Sequence, residues 1–189
     1  MPENLEDCLL DGSLPGICAV PDPTDRQTDL SSYVTTYLED EIRTEAVVRK
    51  LGPFARFLEY AAADAGRIIN AHKLSQEIGV SQPTIQSYYQ ILEDCLIIDR
   101  IDPVSQSQTR KKLIRAQKYL FFDLGVRRLA AREGRNLPLE TMGHIFKQYV
   151  GLELLRLLRS TNAQHRLRFW RDPDGPEVDW ILDTSDGYT

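Results

Sequence analysis

The chain has 189 residues, 42% of them hydrophobic, with 23 basic and 28 acidic side chains and a formal net charge of −5. That length allows one large domain or two small ones with a packed core, and the acidic balance excludes a chain that coats nucleic acid, leaving only local basic patches for such contacts. No apolar run reaches the roughly 20 residues of a membrane span, Met1–Leu10 lacks the basic start of a signal peptide, and Cys8, Cys18 and Cys95 indicate neither a disulfide framework nor a zinc site, so a cytoplasmic protein is expected.

Residues 1–28 read as a linker or a remnant of something larger. Asp11-Gly-Ser-Leu-Pro-Gly16 and Pro21-Asp-Pro-Thr24 are turn-rich, and few residues there suit a core. A self-sufficient domain rarely begins this way, so a preceding domain is expected upstream. Asp29–Asp64 reads as helices. Leu30, Tyr33, Val34, Tyr37 and Leu38 form an apolar stripe, and Glu39-Asp-Glu41, Arg43 and Glu45 read as a solvated face. Gly52-Pro53 starts a new helix whose buried side carries Phe54, Phe57, Leu58 and Ala61.

The next stretch organises the chain. Leu74 and Ile78 share one face of a short helix, Ala71–Ile78, which Gly79 ends. Ser81 can cap a second helix, Pro83 suits its first turn, and Ile85, Tyr89 and Leu92 recur at helical spacing. Leu96–Ile101 and Tyr119–Phe122 then read as paired strands flanking the polar, basic segment Ser105–Lys112. Helix-turn-helix followed by a basic hairpin is a winged helix, and a helical segment with this winged helix is expected over residues 29–123. Gln82, Thr84, Gln86 and Ser87 should lie on the exposed face of the second helix, where amides and hydroxyls can read base edges of duplex DNA. Arg110, Lys111, Lys112, Arg115 and Lys118 can neutralise phosphates in or beside the wing. The competing reading is protein docking, since this helix has no Lys or Arg and ends in Glu93-Asp94; Tyr88 and the apolar part of the helix would then matter.

Residues 124–189 change character. Val126–Arg132 is a short helix with Arg127, Arg128 and Arg132 outward. Met142–Arg159 is a long amphipathic helix offering Ile145, Phe146, Tyr149, Val150, Leu152, Leu155 and Leu158 for burial. Arg166–Arg171 and Glu177–Leu182 read as strands joined by the turn Asp172-Pro-Asp-Gly175. The fold class expected is α+β: a helical segment and winged helix-turn-helix, then the opening of an incomplete α/β unit.

No Gly-rich phosphate loop is present, so the chain itself should not hydrolyse ATP. His72, His144 and His165 have no metal-ligand spacing, and no Ser or Cys nucleophile context occurs. One constellation is suggestive. Glu153 lies on the long helix, and Glu177 and Asp179 alternate on the last strand and so share a face. Such carboxylates can hold Mg²⁺, or they can pair with Arg168 or Arg171 across the hairpin.

With these residues in view, the chain resembles the C-terminal half of a widespread prokaryotic family of predicted AAA-type ATPases. The similar stretches are Gly12–Gly16, Tyr33–Ile42, Phe54–Glu59, Gly79–Ile85, Ile91–Asp94, Lys118–Gly125, Phe169–Arg171 and Glu177–Asp179, in family order. The resemblance implies a P-loop core upstream, which would bring ATP and Mg²⁺, while this chain needs no cofactor of its own. It also implies that residues 124–189 begin a restriction-endonuclease-like fold, with Asp179 matching the metal-binding acid. Two departures count against nuclease activity: Lys147 stands where the family pattern has a Glu, and the later acid-x-Lys strand lies beyond Thr189. The expected role is a non-catalytic region of an ATPase that binds duplex DNA or a protein partner. The alternatives are a metal-dependent nuclease domain lacking part of its site and a pure oligomerisation module.

Overall fold

The computed structural model describes residues 4–38, 51–104, 117–161, 165–172, 175–184 and 187–188. Polar caps set where most helices begin. Asn4 accepts the Asp7 N–H at 2.8 Å and starts α1, Leu5–Asp11. After the short α2, Pro15–Cys18, Asp22 accepts the N–H groups of Thr24 and Asp25 and starts α3, Pro23–Ser32. The chain continues into a π-helical segment, Tyr33–Leu38. The acidic run from Glu39 to Glu45 lies outside the described residues.

Helix α4 is Leu51–Ala63, α5 is Ala71–Ile78 and α6 is Gln82–Asp94. Gly79 closes α5 at φ 81° and ψ 36°, a left-handed conformation that any Cβ would strain, and this turns the chain into α6. The Ser81 hydroxyl accepts the Thr84 N–H at 3.2 Å, with Pro83 in the first turn, as the sequence requires. The three helices bury an aromatic centre. Phe57 meets Phe54, Tyr88 and Tyr89 at ring-centroid distances of 5.7, 5.2 and 4.8 Å, and Tyr89 stacks on Tyr119 at 4.3 Å.

The strands are β1, Ile98–Pro103; β2, Lys118–Phe121; β3, Arg166–Arg171; β4, Glu177–Thr184; and β5, Gly187–Tyr188. Between β2 and β3 lie α7, Leu124–Ala130, and α8, Leu139–Ser160. The fold is α+β, with one sheet in the order β2-β1-β3-β4-β5. β1 pairs antiparallel with β2 (Ile98↔Phe121, Ile101↔Lys118) and parallel with β3 (Asp102↔Arg168). The sheet therefore runs across the expected boundary at residue 123. Ile98, Tyr119 and Phe121 pack into the helical core, whereas Ile101 and Leu120 join Ile145, Leu152, Leu167 and Phe169 in a second core under α8. The β1–β2 pair is a wall shared by both cores, which is why every residue of β2 is buried.

Three expectations change. The first 28 residues do not read as a linker: Leu9, Leu10 and Ile17 are buried, and α1 packs on α7. Arg127 and Arg128 point inward rather than outward, with only 3% and 1% exposure. Arg127 donates to the Ala62 and Ala63 carbonyls at the end of α4 and to Glu133. Arg128 donates to the Leu10 carbonyl near the end of α1, to Gln27 and to the Glu133 carbonyl. Carbonyls in the last turn of a helix have no partner within it, and a guanidinium with five fixed donors can satisfy several at once. On α8, Ile145 and Leu152 are buried as expected but Phe146 is 45% exposed, and Gln148 takes the inward position because it shares their face. Among the described residues no helix is long and apolar enough to cross a membrane.

Candidate functional site

Helix α6 divides cleanly between its faces. Ile85, Tyr88, Tyr89 and Leu92 are buried, while Gln82, Gln86, Ser87 and Gln90 are exposed. The outer stripe is rich in amides and hydroxyls and free of charge until Asp94, which accepts from Gln90 at 2.8 Å. Gln82 is held by His72 of α5, with Nε2 2.7 Å from Nδ1, so the helix pair orients it. Thr84 differs from expectation: it is half-buried and its hydroxyl lies 2.8 Å from that of Ser81, so it belongs to the cap rather than to the open face. Tyr88, named for the docking reading, is buried, and Phe54 meets it edge-on at 5.0 Å inside the core. Arg110, Lys111, Lys112 and Arg115 lie outside the described residues.

Lys118 is the largest departure. It is fully buried, so it offers nothing to a phosphate outside. Its ammonium lies 4.8 Å from the Phe169 ring centre and 5.4 Å from that of Trp180. It donates to Glu177 Oε1 and, at 3.4 Å, to Asp179 Oδ1. Lys147 of α8 lies 2.9 Å from Asp179 Oδ2, and Arg171 donates to Glu177 Oε2 at 3.3 Å. Each oxygen of the two carboxylates thus faces a cation. The expected cross-hairpin pairing forms for Glu177 and Arg171, whereas Arg168 pairs with Asp183 instead. Burial pushes the Asp179 carboxyl up, but the Lys147 hydrogen bond and the charges of Lys118 and Lys147 outweigh that and hold it below its usual range.

These donors do not fit the divalent metal implied by the resemblance. Mg²⁺ needs near-octahedral oxygen ligation and surplus negative charge. Here two carboxylates already face three cations, and Lys118 is locked in place by burial. Glu153, the third acid of the expected constellation, pairs with Arg156 at 2.6 Å on its own helix instead. Among the described residues no group of three or more His, Cys, Asp or Glu side chains gathers at metal-binding distance.

The cluster borders a cavity of about 460 Å³ between the α4–α5 connection, α8 and the start of β4. Arg67, His144, Lys147, Gln148, Arg171 and Trp180 line it together with the two acids. Trp180 donates to the Lys147 carbonyl at 3.0 Å, which ties β4 to α8. The sequence signalled the acids through their alternation and Lys147 through its departure from the family pattern. It did not signal Arg67, Gln148 or Trp180, which meet only through long-range packing.

A family model described as "Domain of unknown function (DUF8612)" matches residues 2–137, the part that ends in the loop before α8. The uncharacterized protein Rv2008c of Mycobacterium tuberculosis and the uncharacterized protein Mb2031c of Mycobacterium bovis are each 25% identical to the chain over 177 residues. The similarity covers 93% of this chain and 40% of each relative, so the chain spans less than half the length of the curated relatives it matches. No solved structure matches it.

Proposed function

The chain belongs to the DUF8612 family, and we propose that it is a non-catalytic duplex-DNA-binding region of a larger cytoplasmic ATPase of AAA type, acting through a winged helix. The observation that carries this reading is the outer face of α6. Its inner face is fully committed to the core, while Gln82, Gln86 and Ser87 stand exposed at the end that follows the α5–α6 turn. In a helix-turn-helix, that end of the second helix meets base edges. Amides and hydroxyls there read sequence without adding charge, so affinity must come from elsewhere. The segment between β1 and β2 supplies it in sequence terms, with Arg110, Lys111, Lys112 and Arg115. ATP and Mg²⁺ would belong to the rest of such a protein. The protein-docking alternative rests on Tyr88 and the apolar part of the helix, and Tyr88 packs in the core.

The test is a titration of the full chain with short duplexes at two salt concentrations. Replacing Arg110, Lys111 and Lys112 together should flatten the dependence of log affinity on log salt by roughly 2 to 3 units, at about 0.9 per phosphate contact. Gln86→Ala should change sequence preference and leave that slope unchanged. Equal, weak binding by wild type and triple variant overturns the reading and leaves self-association or protein docking.

A further inference from the structure

We propose that the outer face of strands β3, β4 and β5 binds single-stranded nucleic acid, stacking unpaired bases on Trp170 and holding phosphates with Arg166 and its neighbours. Cross-strand register puts these residues together. Arg166 lies opposite Asp183, Arg168 opposite Ile181 and Trp170 opposite Val178, while Tyr188 of β5 lies opposite Asp183. Directly paired residues point to the same side of a sheet, and so do alternate residues of one strand. Leu167 and Phe169, which alternate with this row, are buried in the core under α8, so the row faces the other way. On β1 and β2 that side is filled by the helical core, where Ile98, Tyr119 and Phe121 pack. Trp170, Val178, Ile181 and Tyr188 belong to neither core, and Val178 and Tyr188 are 44% and 56% exposed. Apolar and aromatic side chains gathered on a wet sheet face mark a contact surface.

Charge selects the partner. A cavity of about 460 Å³ opens beside the start of β3. Four arginines line it, Arg100, Arg159, Arg166 and Arg168, against Asp99 and Asp102, a surplus of two on a chain whose net charge is −5. Asp99 pairs with Arg159, Arg100 with Asp102 and Glu93, and Arg168 with Asp183. Arg166 is exposed and meets no acid among the described residues. The paired guanidiniums also keep N–H groups in reserve, because each spends only part of its five donors on a carboxylate.

Spacing favours an unpaired strand. Arg166, Arg168 and Trp170 follow one another along one face of β3 at about 7 Å per step. Tyr188, level with Arg166 and about 10 Å to the side, offers a second ring. Bases within a duplex stack on each other and show no free face to Trp170, whereas an unpaired strand presents its bases to aromatic rings and its phosphates to arginines. A protein partner would use the apolar row and leave Arg166 without a role. Binding here does not depend on duplex contact through α6.

The test is fluorescence anisotropy of short labelled oligo(dT) and oligo(U), titrated with the full chain, with an unlabelled duplex of the same length as competitor. Saturable binding that the duplex displaces poorly is expected. Trp170→Leu keeps an apolar contact and removes the ring, so it should weaken binding at least about fivefold. Arg166→Gln alters an exposed side chain outside both cores and so leaves the fold intact. It should flatten the dependence of log affinity on log salt by about 0.7, one phosphate contact on a single strand, and leave duplex binding unchanged. Either oligonucleotide supports the proposal, and the tighter of the two tells RNA from DNA. The proposal is overturned by no saturable binding of either oligonucleotide, by binding indifferent to Trp170→Leu or to Arg166→Gln, or by a duplex that competes as well as the single strand. Self-association of the full chain that Trp170→Leu abolishes would overturn it too, assigning the face to a second copy.

Discussion

Replacing Lys118 with Met removes the ammonium while keeping most of the apolar stem that packs beside Phe169 and Trp180. The variant loses two charge-assisted hydrogen bonds, each worth about 1.5–3 kcal/mol in favourable cases. Two effects offset that loss. Glu177 and Asp179 are 30% and 31% exposed, so water can reach them once the ammonium is gone. The variant also escapes the cost of holding a desolvated charge, several kcal/mol for a fully buried ion. The net expectation is a loss of about 2 kcal/mol, equivalent to a fall in Tm of about 4–8 °C for a chain of this size. Calorimetric unfolding measures it. A double-mutant cycle with Asp179→Asn should show a coupling of about 1 kcal/mol. If Lys118→Met unfolds within about 0.5 kcal/mol of wild type, or above it, the ammonium does not lock β2 to β4.

Arg128→Lys should destabilise the chain by about 2–4 kcal/mol in urea unfolding, because one ammonium cannot reach the Leu10 carbonyl, Gln27 and the Glu133 carbonyl together. Gly125→Ala should cost about 2–3 kcal/mol by the same measurement, since its Cβ would sit 2.3 Å from the Asp11 carbonyl oxygen, and backbone cannot step aside cheaply. The Asp179 carboxyl is held below its usual range, so its contribution is present above the unfolded carboxylate value and disappears as pH falls through the folded one. Wild type should therefore lose Tm more steeply than Asp179→Asn between about pH 5 and pH 3; parallel curves would remove Asp179 from the lock.

Much of the architecture was legible in the chain because it is local. The α5–α6 unit needs only the spacing of Leu74, Ile78, Ile85, Tyr89 and Leu92, a left-handed glycine and a serine cap, all set within a few residues of one another. The strands at Arg166–Arg171 and from Glu177 also appear where alternation puts them, and so does the α+β class. Long-range pairing decided the rest. Alternation cannot say that β1 will pair with β3 as well as β2, so it cannot say that Lys118 becomes buried between two cores. A charged residue is assigned to the surface on its own chemistry, and only the partners brought by tertiary structure make burial affordable: carbonyls at helix ends for Arg127 and Arg128, carboxylates on β4 for Lys118. The same holds for the acids. Their spacing showed that Glu177 and Asp179 could act together, but whether they meet a metal ion or three cations depends on Lys118, Lys147 and Arg171, which come from β2, α8 and β3.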